Sequence, residues 1–160
     1  MLAKSLLVAS SLLSFFWGDD DEWLVEKPIF DPAYYAEANP DLRRAFGENE
    51  RDLRRHWLEF GIAEGRPSSP VMQVEWYVER NPGLRDDFGS RNHRDALRHW
   101  LEEGRHEGRQ AHPDFDPRWY IRNNPDVAAS FGANNYAAAI EHYLEHGRDE
   151  GRRGAPAFGR

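Results

Sequence analysis

The chain contains no cysteine among its 160 residues. Disulfide bonds, thiolate metal sites and cysteine nucleophiles are therefore excluded. Lysine is also scarce, since Lys4 and Lys27 stand against 19 arginines. Arginine favours bidentate pairing with carboxylates and stacking on aromatic rings, although a genome rich in G and C would produce the same bias.

A net positive charge is lacking as well, because the formal net charge is -7 and residues 19–22 are all acidic. Nucleic acid is therefore not an expected partner, since neutralising phosphates requires a basic face. The acidic run lacks the spaced ligands and the glycine of a calcium loop. We expect a solvated acidic linker over residues 19–29. No segment alternates polar and apolar residues, so strands are not expected.

A long apolar run is missing, and the longest uncharged stretch covers residues 5–18. A membrane-spanning helix needs about 20 residues, whereas a run of this length after Lys4 is typical of a signal peptide. The large side chain of Trp17 is unlike a signal-peptide cleavage site. A signal peptide, an uncleaved anchor and a helix that docks into a partner therefore stay open for the leader, residues 1–18. Each of them predicts a secreted, cell-surface or membrane-associated protein.

The main feature that is present is a block of about 43 residues written three times. Copy 1 covers residues 30–70, copy 2 covers 71–114 and copy 3 covers 115–155, followed by a tail at 156–160. The recurring histidines are spaced by 43 residues: His56, His99 and His142. A fixed period of this size is typical of stacked repeats. We predict an all-α, solenoid-like domain of three repeats, preceded by an apolar N-terminal helix.

Each copy predicts three short helices. Asp31 and Asp116 are good N-caps and each precedes a proline at the first helical position. The first helix must end at the residue before the next proline, which is Asn39 in copy 1, and this asparagine can cap the second helix. Copy 2 departs from the pattern, since Gln73 replaces the capping Asp and Gly83 replaces the Asp after Asn-Pro. A weaker cap is therefore predicted for the first helix of copy 2.

The third helix of each copy has the clearest periodicity. Leu53, Trp57 and Phe60 are spaced four and three residues apart, which predicts one buried face. Gly61 and its counterparts then end the helix, and a Gly-x-x-Glu-Gly-Arg turn follows. The arginines of this turn are expected to pair with the adjacent glutamates and lock it: Arg66, Arg109 and Arg152.

Together these motifs resemble a known family. Phe-Asp-Pro-x-x-Tyr, Asn-Pro-Asp-Leu/Val, Phe-Gly, Ala-x-x-His-Trp/Tyr and Gly-x-x-Glu-Gly-Arg are similar to a tandem helical repeat of about 40 residues. Such repeats occur in bacterial and protist proteins that are often secreted or surface-attached, appended to wall hydrolases, calcium-binding repeat proteins or glycosyltransferases. The resemblance covers residues 30 to 155. It implies an attachment or interaction module and gives no agreed ligand.

Aromatic doublets supply the candidate ligand contacts. Two adjacent positions of a helix cannot share one buried face, so the second residue of each doublet is expected in the core. The first residues are then the candidates for stacking on a sugar: Tyr34, Trp76 and Trp119.

The recurring histidine is expected to be structural, bonding a backbone carbonyl or an Asp of the adjacent repeat. In copy 3 it begins His142-x-x-Glu145-His146, which matches an inverted zinc-peptidase motif. The other copies argue against zinc, because Phe60 and Glu103 occupy the position of His146. No metal or cofactor is therefore predicted.

The sequence thus favours a non-catalytic interaction or scaffolding protein, an accessory subunit of a surface or membrane-associated assembly. The alternative is a carbohydrate or cell-wall attachment module. The partner is a protein, which could be a membrane protein bound through residues 1–18, or a glycan. Self-association is also expected, because the terminal repeats lack obvious polar caps.

Overall fold

A computed structural model describes residues 19–88 and 92–156, apart from the side chains at positions 19, 20, 85, 86 and 88. The predicted apolar leader lies outside the described residues, as does most of the tail. The described chain is mostly helical, which confirms the all-α class. Its helices are all too short or too polar to cross a bilayer within the described ranges.

Each sequence copy contributes three helices of seven residues. Copy 1 has α1 (Pro32–Ala38), α2 (Pro40–Phe46) and α3 (Glu50–His56); copy 2 has α4 (Val74–Arg80), α5 (Pro82–Phe88) and α6 (His93–His99); copy 3 has α7 (Pro117–Asn123), α8 (Pro125–Phe131) and α9 (Tyr136–His142). Every third helix continues into a five-residue π-helical turn: Trp57–Gly61, Trp100–Gly104 and Tyr143–Gly147. The same local sequence therefore produces the same helices at matching positions.

The first helices begin as their N-cap residues predict. Asp31 accepts a hydrogen bond from the backbone N–H of Tyr34 at 3.1 Å, and Asp116 accepts from Arg118 at 2.9 Å. Gln73 has the same extended backbone, with φ −134° and ψ 101°, but among the described residues its side chain makes no cap hydrogen bond. The prediction of a weaker cap in copy 2 is confirmed.

The asparagine before each second helix does not act as predicted. Asn39 stands at the N-cap of α2, but its side-chain amide donates to the carbonyl of Tyr35 in α1 at 2.8 Å. Asn81 and Asn124 make the same bond at the same distance. The physical reason is that the end of a helix leaves carbonyls without partners, whereas the proline that follows has already removed one orphan N–H from the next helix.

Two short strands were also not expected. β1 (Pro67–Ser69) and β2 (Met72–Gln73) pair antiparallel in the connection between copies 1 and 2. Ser68 reinforces the connection because its hydroxyl donates to the carbonyl of Ile29 at 2.7 Å. Segments of two and three residues are too short to show an alternating pattern, so no periodicity could predict them.

The acidic segment is not a solvated linker. Residues Asp19–Val25 form a 3₁₀-helix, in which Leu24 and Val25 are buried. The indole N–H of Trp57 donates to the carbonyl of Leu24 at 2.8 Å, and Asp21 pairs with Arg94 of copy 2 at 2.7 Å. The apolar residues that follow the acidic run therefore hold this segment against copy 1, and the ion pair of Asp21 joins it to copy 2.

Aromatic side chains form much of the core. The second residue of each doublet is fully buried, as predicted: Tyr35, Tyr77 and Tyr120. Phe30 stacks on Trp57 with ring centroids 5.7 Å apart, and Phe115 stacks on Tyr143 at 4.5 Å. Each such ring pair contributes about 1 kcal/mol beyond its buried area.

Phe60 was expected on the buried face of the third helix and is instead 53% exposed. The cause is the π-helical turn Trp57–Gly61, which holds more residues per turn than an α-helix. Phe60 therefore rotates away from the face that buries Trp57, while Leu58 and Ile62 turn towards the core. This places an aromatic ring on the outer surface of copy 1.

Candidate functional site

A tyrosine and a histidine form the same hydrogen bond in every copy. The distances between the tyrosine Oη and the histidine Nδ1 are 3.0 Å for Tyr35–His56, 3.0 Å for Tyr77–His99 and 2.9 Å for Tyr120–His142. The histidines were expected to bond a carbonyl or an Asp of the adjacent repeat, and that expectation is wrong. The bond instead joins the first helix of a copy to the third helix of the same copy.

These pairs are structural. Burial raises the pKa of Tyr120 to about 12, and it raises the pKa of Tyr35 above its usual range. Burial, followed by the nearby Arg66 guanidinium, lowers the pKa of His56. Tyr35 and His56 are therefore both neutral near pH 7, and the buried tyrosines of all three pairs offer no accessible hydroxyl to a substrate. The pair can orient helices but is poorly placed for acid–base chemistry.

The arginine of each turn contacts further residues besides the glutamate that was predicted as its partner. The Arg66 guanidinium contacts Glu64 at 2.5 Å, and it also donates to Asn39 at 3.2 Å and Asp41 at 3.0 Å. The turn is thereby tied to the junction between α1 and α2. Exposed pairs of this kind contribute up to about 1 kcal/mol each.

The turn arginines of copies 2 and 3 differ by one contact, because copy 2 has a glycine where copies 1 and 3 have an aspartate. Arg152 repeats all three contacts of Arg66, with Glu150, Asn124 and Asp126 as its partners. Its guanidinium is the main cause that lowers the pKa of Asp126 to about 2. Arg109 keeps the equivalent glutamate and asparagine, at 2.5 and 3.0 Å. Gly83 occupies the position of the aspartate, so copy 2 has no carboxylate there.

The predicted ligand contacts are half-buried and each has a partner within the protein. The hydroxyl of Tyr34 bonds His112 Nε2 at 2.8 Å, which joins copy 1 to the connection between copies 2 and 3. The guanidinium of Arg80 lies 4.9 Å from the centre of the Trp76 ring. The Trp119 ring is contacted in the same way by Arg153 at 5.4 Å. Part of the surface through which each candidate would contact a ligand is therefore already covered by another residue of the protein.

Two aromatic clusters on the surface were missed from the sequence. The copy 1 cluster consists of Phe46, His56 and Phe60, with the His56 ring 6.0 Å from Phe46 and 5.5 Å from Phe60. Phe60 is the most exposed of its members, as the fold showed.

The copy 3 cluster occupies the matching positions. It consists of Phe131, His142 and His146, with the His142 ring 6.2 Å from Phe131 and 5.5 Å from His146. Phe131 is 47% exposed. For both Phe60 and Phe131, an aromatic ring directly before a helix-ending glycine was the available signal. The exposure of Phe60 also depends on its π-helical turn.

The side chains of the His142-x-x-Glu145-His146 motif make other contacts in the structure. His142 uses Nδ1 to bond Tyr120, and Glu145 lies 3.9 Å from His146 on an exposed surface. In the part of the chain that the structure describes, no group of three or more His, Asp or Glu side chains is placed to hold a metal.

A groove opens on the outer side of copy 1, with a volume of about 430 Å³. It lies between α1 and the residues that lead into α3. Its lining is Pro32, Ala33, Ala36, Glu37, Arg43, Glu48, Glu50 and Leu53. Three carboxylates and one guanidinium therefore surround a small apolar floor.

No family model, curated protein or solved structure matches this chain. Its function is therefore inferred from its own residues and their contacts.

Proposed function

We propose that this chain is a non-catalytic interaction protein, a scaffold within a surface or membrane-associated assembly. Its three copies stack into a short solenoid-like array. The exposure of Phe60 and Phe131, at 53% and 47%, is the observation that carries the proposal. The leader at residues 1–18 supports the location.

The aromatic clusters have the chemistry of a protein-binding surface. An exposed phenyl ring leaves a large apolar area in water, and aromatic residues dominate the binding energy of protein interfaces. The lowered pKa of His56 keeps the copy 1 cluster uncharged near pH 7. Each cluster also lies beside a rigid hydrogen-bonded pair. An apolar side chain of a partner protein would therefore meet a pre-ordered surface.

Contacts between successive copies support the stack. The turn at Gly65 lies against Glu75 and His93 of copy 2. The turn at Gly108 lies against Arg118 and Tyr136 of copy 3. Each copy thereby covers part of the next one, as repeat arrays do.

Photo-cross-linking of the full chain in its own cells tests the proposal. A photoreactive phenylalanine replaces Phe60 or Phe131, and a control chain carries it at the exposed Ala45. We expect one discrete partner protein to be captured from the cluster positions and not from position 45. Equal capture from all three positions would contradict the proposal.

Binding of the captured partner gives a second, quantitative test. The double variant Phe60→Ser and Phe131→Ser removes both exposed rings without touching the buried core. We expect its dissociation constant to rise by about 30-fold, the loss typical of an interface hot spot. An unchanged affinity would remove the clusters from the interface.

The second candidate is a carbohydrate or cell-wall attachment module. It is favoured by the partial exposure of Trp76 and Trp119, since indole rings stack well on sugars. Retention of the full chain on insoluble glycans, lost in the Trp76→Ala and Trp119→Ala variants, would support it. Lack of retention at every salt concentration would reject it.

A further inference from the structure

Successive copies share one recurring contact, in which the turn at the end of one copy lies against the first and third helices of the next, here called the receiving copy. The turn at the end of copy 1 has Gly65 buried against the receiving copy: a Cβ at Gly65 would lie 2.8 Å from the Cβ of Glu75 and 3.1 Å from His93. His93 is itself buried, and its Nδ1–H donates to the carbonyl of Ile62 in the same turn at 2.6 Å. The receiving face is therefore made by the second residue of α4 and the first residue of α6.

The contact between copies 2 and 3 uses the same positions. A Cβ at Gly108 would lie 2.7 Å from the Tyr136 ring and 3.0 Å from Arg118. The Arg118 guanidinium donates to the carbonyls of Gly108 at 3.2 Å and Glu107 at 2.6 Å. Arg118 is again the second residue of a first helix, and Tyr136 is the first residue of a third helix. The contact thus recurs at equivalent positions of successive copies, although different side chains make it.

One half of this contact has no partner among the described residues at each end of the array: the turn at the end of copy 3 and the receiving positions of copy 1. The copy 3 turn has the same conformation, with φ 70° at Gly151 against 67° at Gly65 and 72° at Gly108. Gly151 is exposed, however, and no described atom lies within 4 Å of the position of its Cβ. The receiving positions of copy 1 are Ala33 and Glu50, which are exposed and line the groove described above.

We propose that the Gly151 turn of one molecule seats in the Ala33–Glu50 groove of a second copy, so that molecules join end to end. This inference rests on the proposed function and names one partner of the scaffold, which is the chain itself. The internal contacts supply the template, because the same turn already fits the same two positions twice within each molecule.

The charges of the two ends fit this contact. The groove carries Glu37, Glu48 and Glu50 with the single guanidinium of Arg43. The copy 3 turn presents Arg148, whose guanidinium is exposed and lies 3.9 Å from Asp31 of its own chain. In copies 2 and 3 the side chains that hydrogen-bond the received turn, His93 and Arg118, are donors. The groove of copy 1 instead supplies carboxylates, which accept hydrogen bonds from arginine.

Arg148 occupies the position that Ile62 holds in the copy 1 turn. The two halves of the contact are made by different residues, so the interface is heterologous and extends into open chains unless the rotation closes a ring.

Sedimentation of the full chain over a wide concentration range is the first test. We expect the average mass to rise with concentration. In the variant Ala33→Trp the indole fills the groove, and we expect the dissociation constant for self-association to increase by about 30-fold. The control Ala45→Trp places the same ring on an exposed position of α2 and should leave self-association unchanged.

Cysteine pairing tests the contact itself, and the cysteine-free chain makes it specific. Full chains carrying Ala33→Cys are mixed with full chains carrying Gly151→Cys under mild oxidation, and circular dichroism checks that each variant folds. In the internal counterpart the Cβ positions of Gly65 and Glu75 lie 2.8 Å apart, so a shift of about 1 Å brings such a pair to the separation found in a disulfide. We expect a mixed dimer to form faster than the dimer of Gly151→Cys with Ala45→Cys.

A single monomer mass at every concentration, or equal rates of pairing with positions 33 and 45, would overturn the inference. So would protection of the Ala33→Cys thiol from a small alkylating reagent in a monomer, because the groove would then be filled by residues 1–18. Capture of a different protein at Phe60 and Phe131 is measured separately. Failure of self-association therefore leaves the proposed function intact.

Discussion

At the scale of single residues, one glycine in each copy lies against a tyrosine hydroxyl. A Cβ at Gly104 would collide with the Tyr77 hydroxyl and lie 3.1 Å from the Trp100 ring. The hydroxyl is held by His99, so it cannot move without breaking that bond. The π-helical turn therefore needs a residue without a side chain at this point.

We predict that Gly104→Ala lowers the free energy of unfolding by about 2 kcal/mol, the cost of overpacking a buried site. The matched control is Gly83→Ala in α5, where no described atom lies within 4 Å of the new Cβ. Because alanine favours a helix over glycine by about 1 kcal/mol, the control should be slightly stabilised. Urea unfolding measures both, and effects of equal sign would contradict the prediction.

Gly83 also accounts for the incomplete arginine network of copy 2. We predict that Gly83→Asp adds a carboxylate for Arg109, as Asp41 does for Arg66. The variant should be more stable than Gly83→Ala by about 0.5 kcal/mol, since the pair is exposed. Unfolding at low and high salt checks this, because an ion pair weakens as salt is added. A difference that does not change with salt would reject the pairing.

At the level of elements, the first helices of copies 1 and 3 begin at a capping aspartate, whereas α4 begins after Gln73, whose side chain makes no cap hydrogen bond among the described residues. The backbone of Gln73 lies at φ −134° and ψ 101°, close to the φ −130° and ψ 111° of the capping residue Asp31. An aspartate at position 73 would therefore need no backbone change to cap the helix.

We predict that Gln73→Asp raises the free energy of unfolding by about 1 kcal/mol, the usual effect of an N-cap. Gln73→Ala, which offers no acceptor, is the control and should be nearly neutral. Thermal unfolding of both variants measures the effect. Equal melting temperatures for the two would show that the cap does not form.

At the scale of the whole molecule, His112 at the end of copy 2 is hydrogen-bonded to copy 1. Its Nε2 bonds Tyr34 of copy 1, and its Nδ1 accepts from the backbone N–H of Asp114 at 3.1 Å. Burial lowers the pKa of His112 to about 4, against an ordinary value of 6.5. The imidazole is therefore neutral at pH 7 and resists protonation while the protein is folded.

A lowered histidine pKa makes stability depend on pH with a definite sign. Below pH 6.5 the unfolded chain binds a proton at His112 that the folded chain does not bind, until the pH reaches about 4. We predict that the free energy of unfolding falls over this window, by up to about 3 kcal/mol from His112, and His56 acts in the same direction. His112→Gln keeps a donor for Tyr34 and should flatten the curve. Urea unfolding between pH 7.5 and pH 4 checks this, and identical slopes would contradict it.

The helices and most of their ends could be predicted from local sequence signals. Asp31-Pro32 and Asn39-Pro40 act within a few residues, so their effect on the backbone does not depend on the rest of the fold. The buried second residues of the aromatic doublets followed from helical geometry in the same way. The repeat spacing predicted three equivalent sets of helices, and the structure places helices at these positions.

Which side chains those helices expose to solvent depends on tertiary packing and could not be predicted in the same way. Tyr35 is 21 residues from His56 and Tyr34 is 78 residues from His112, and no local pattern specifies such partners. The exposure of Phe60 depends on a π-helical turn whose glycine meets a tyrosine from another helix. The groove at Ala33 exists because no described copy precedes copy 1 to cover it. Each of these features depends on contacts between segments distant in the chain, which only the packed molecule brings together.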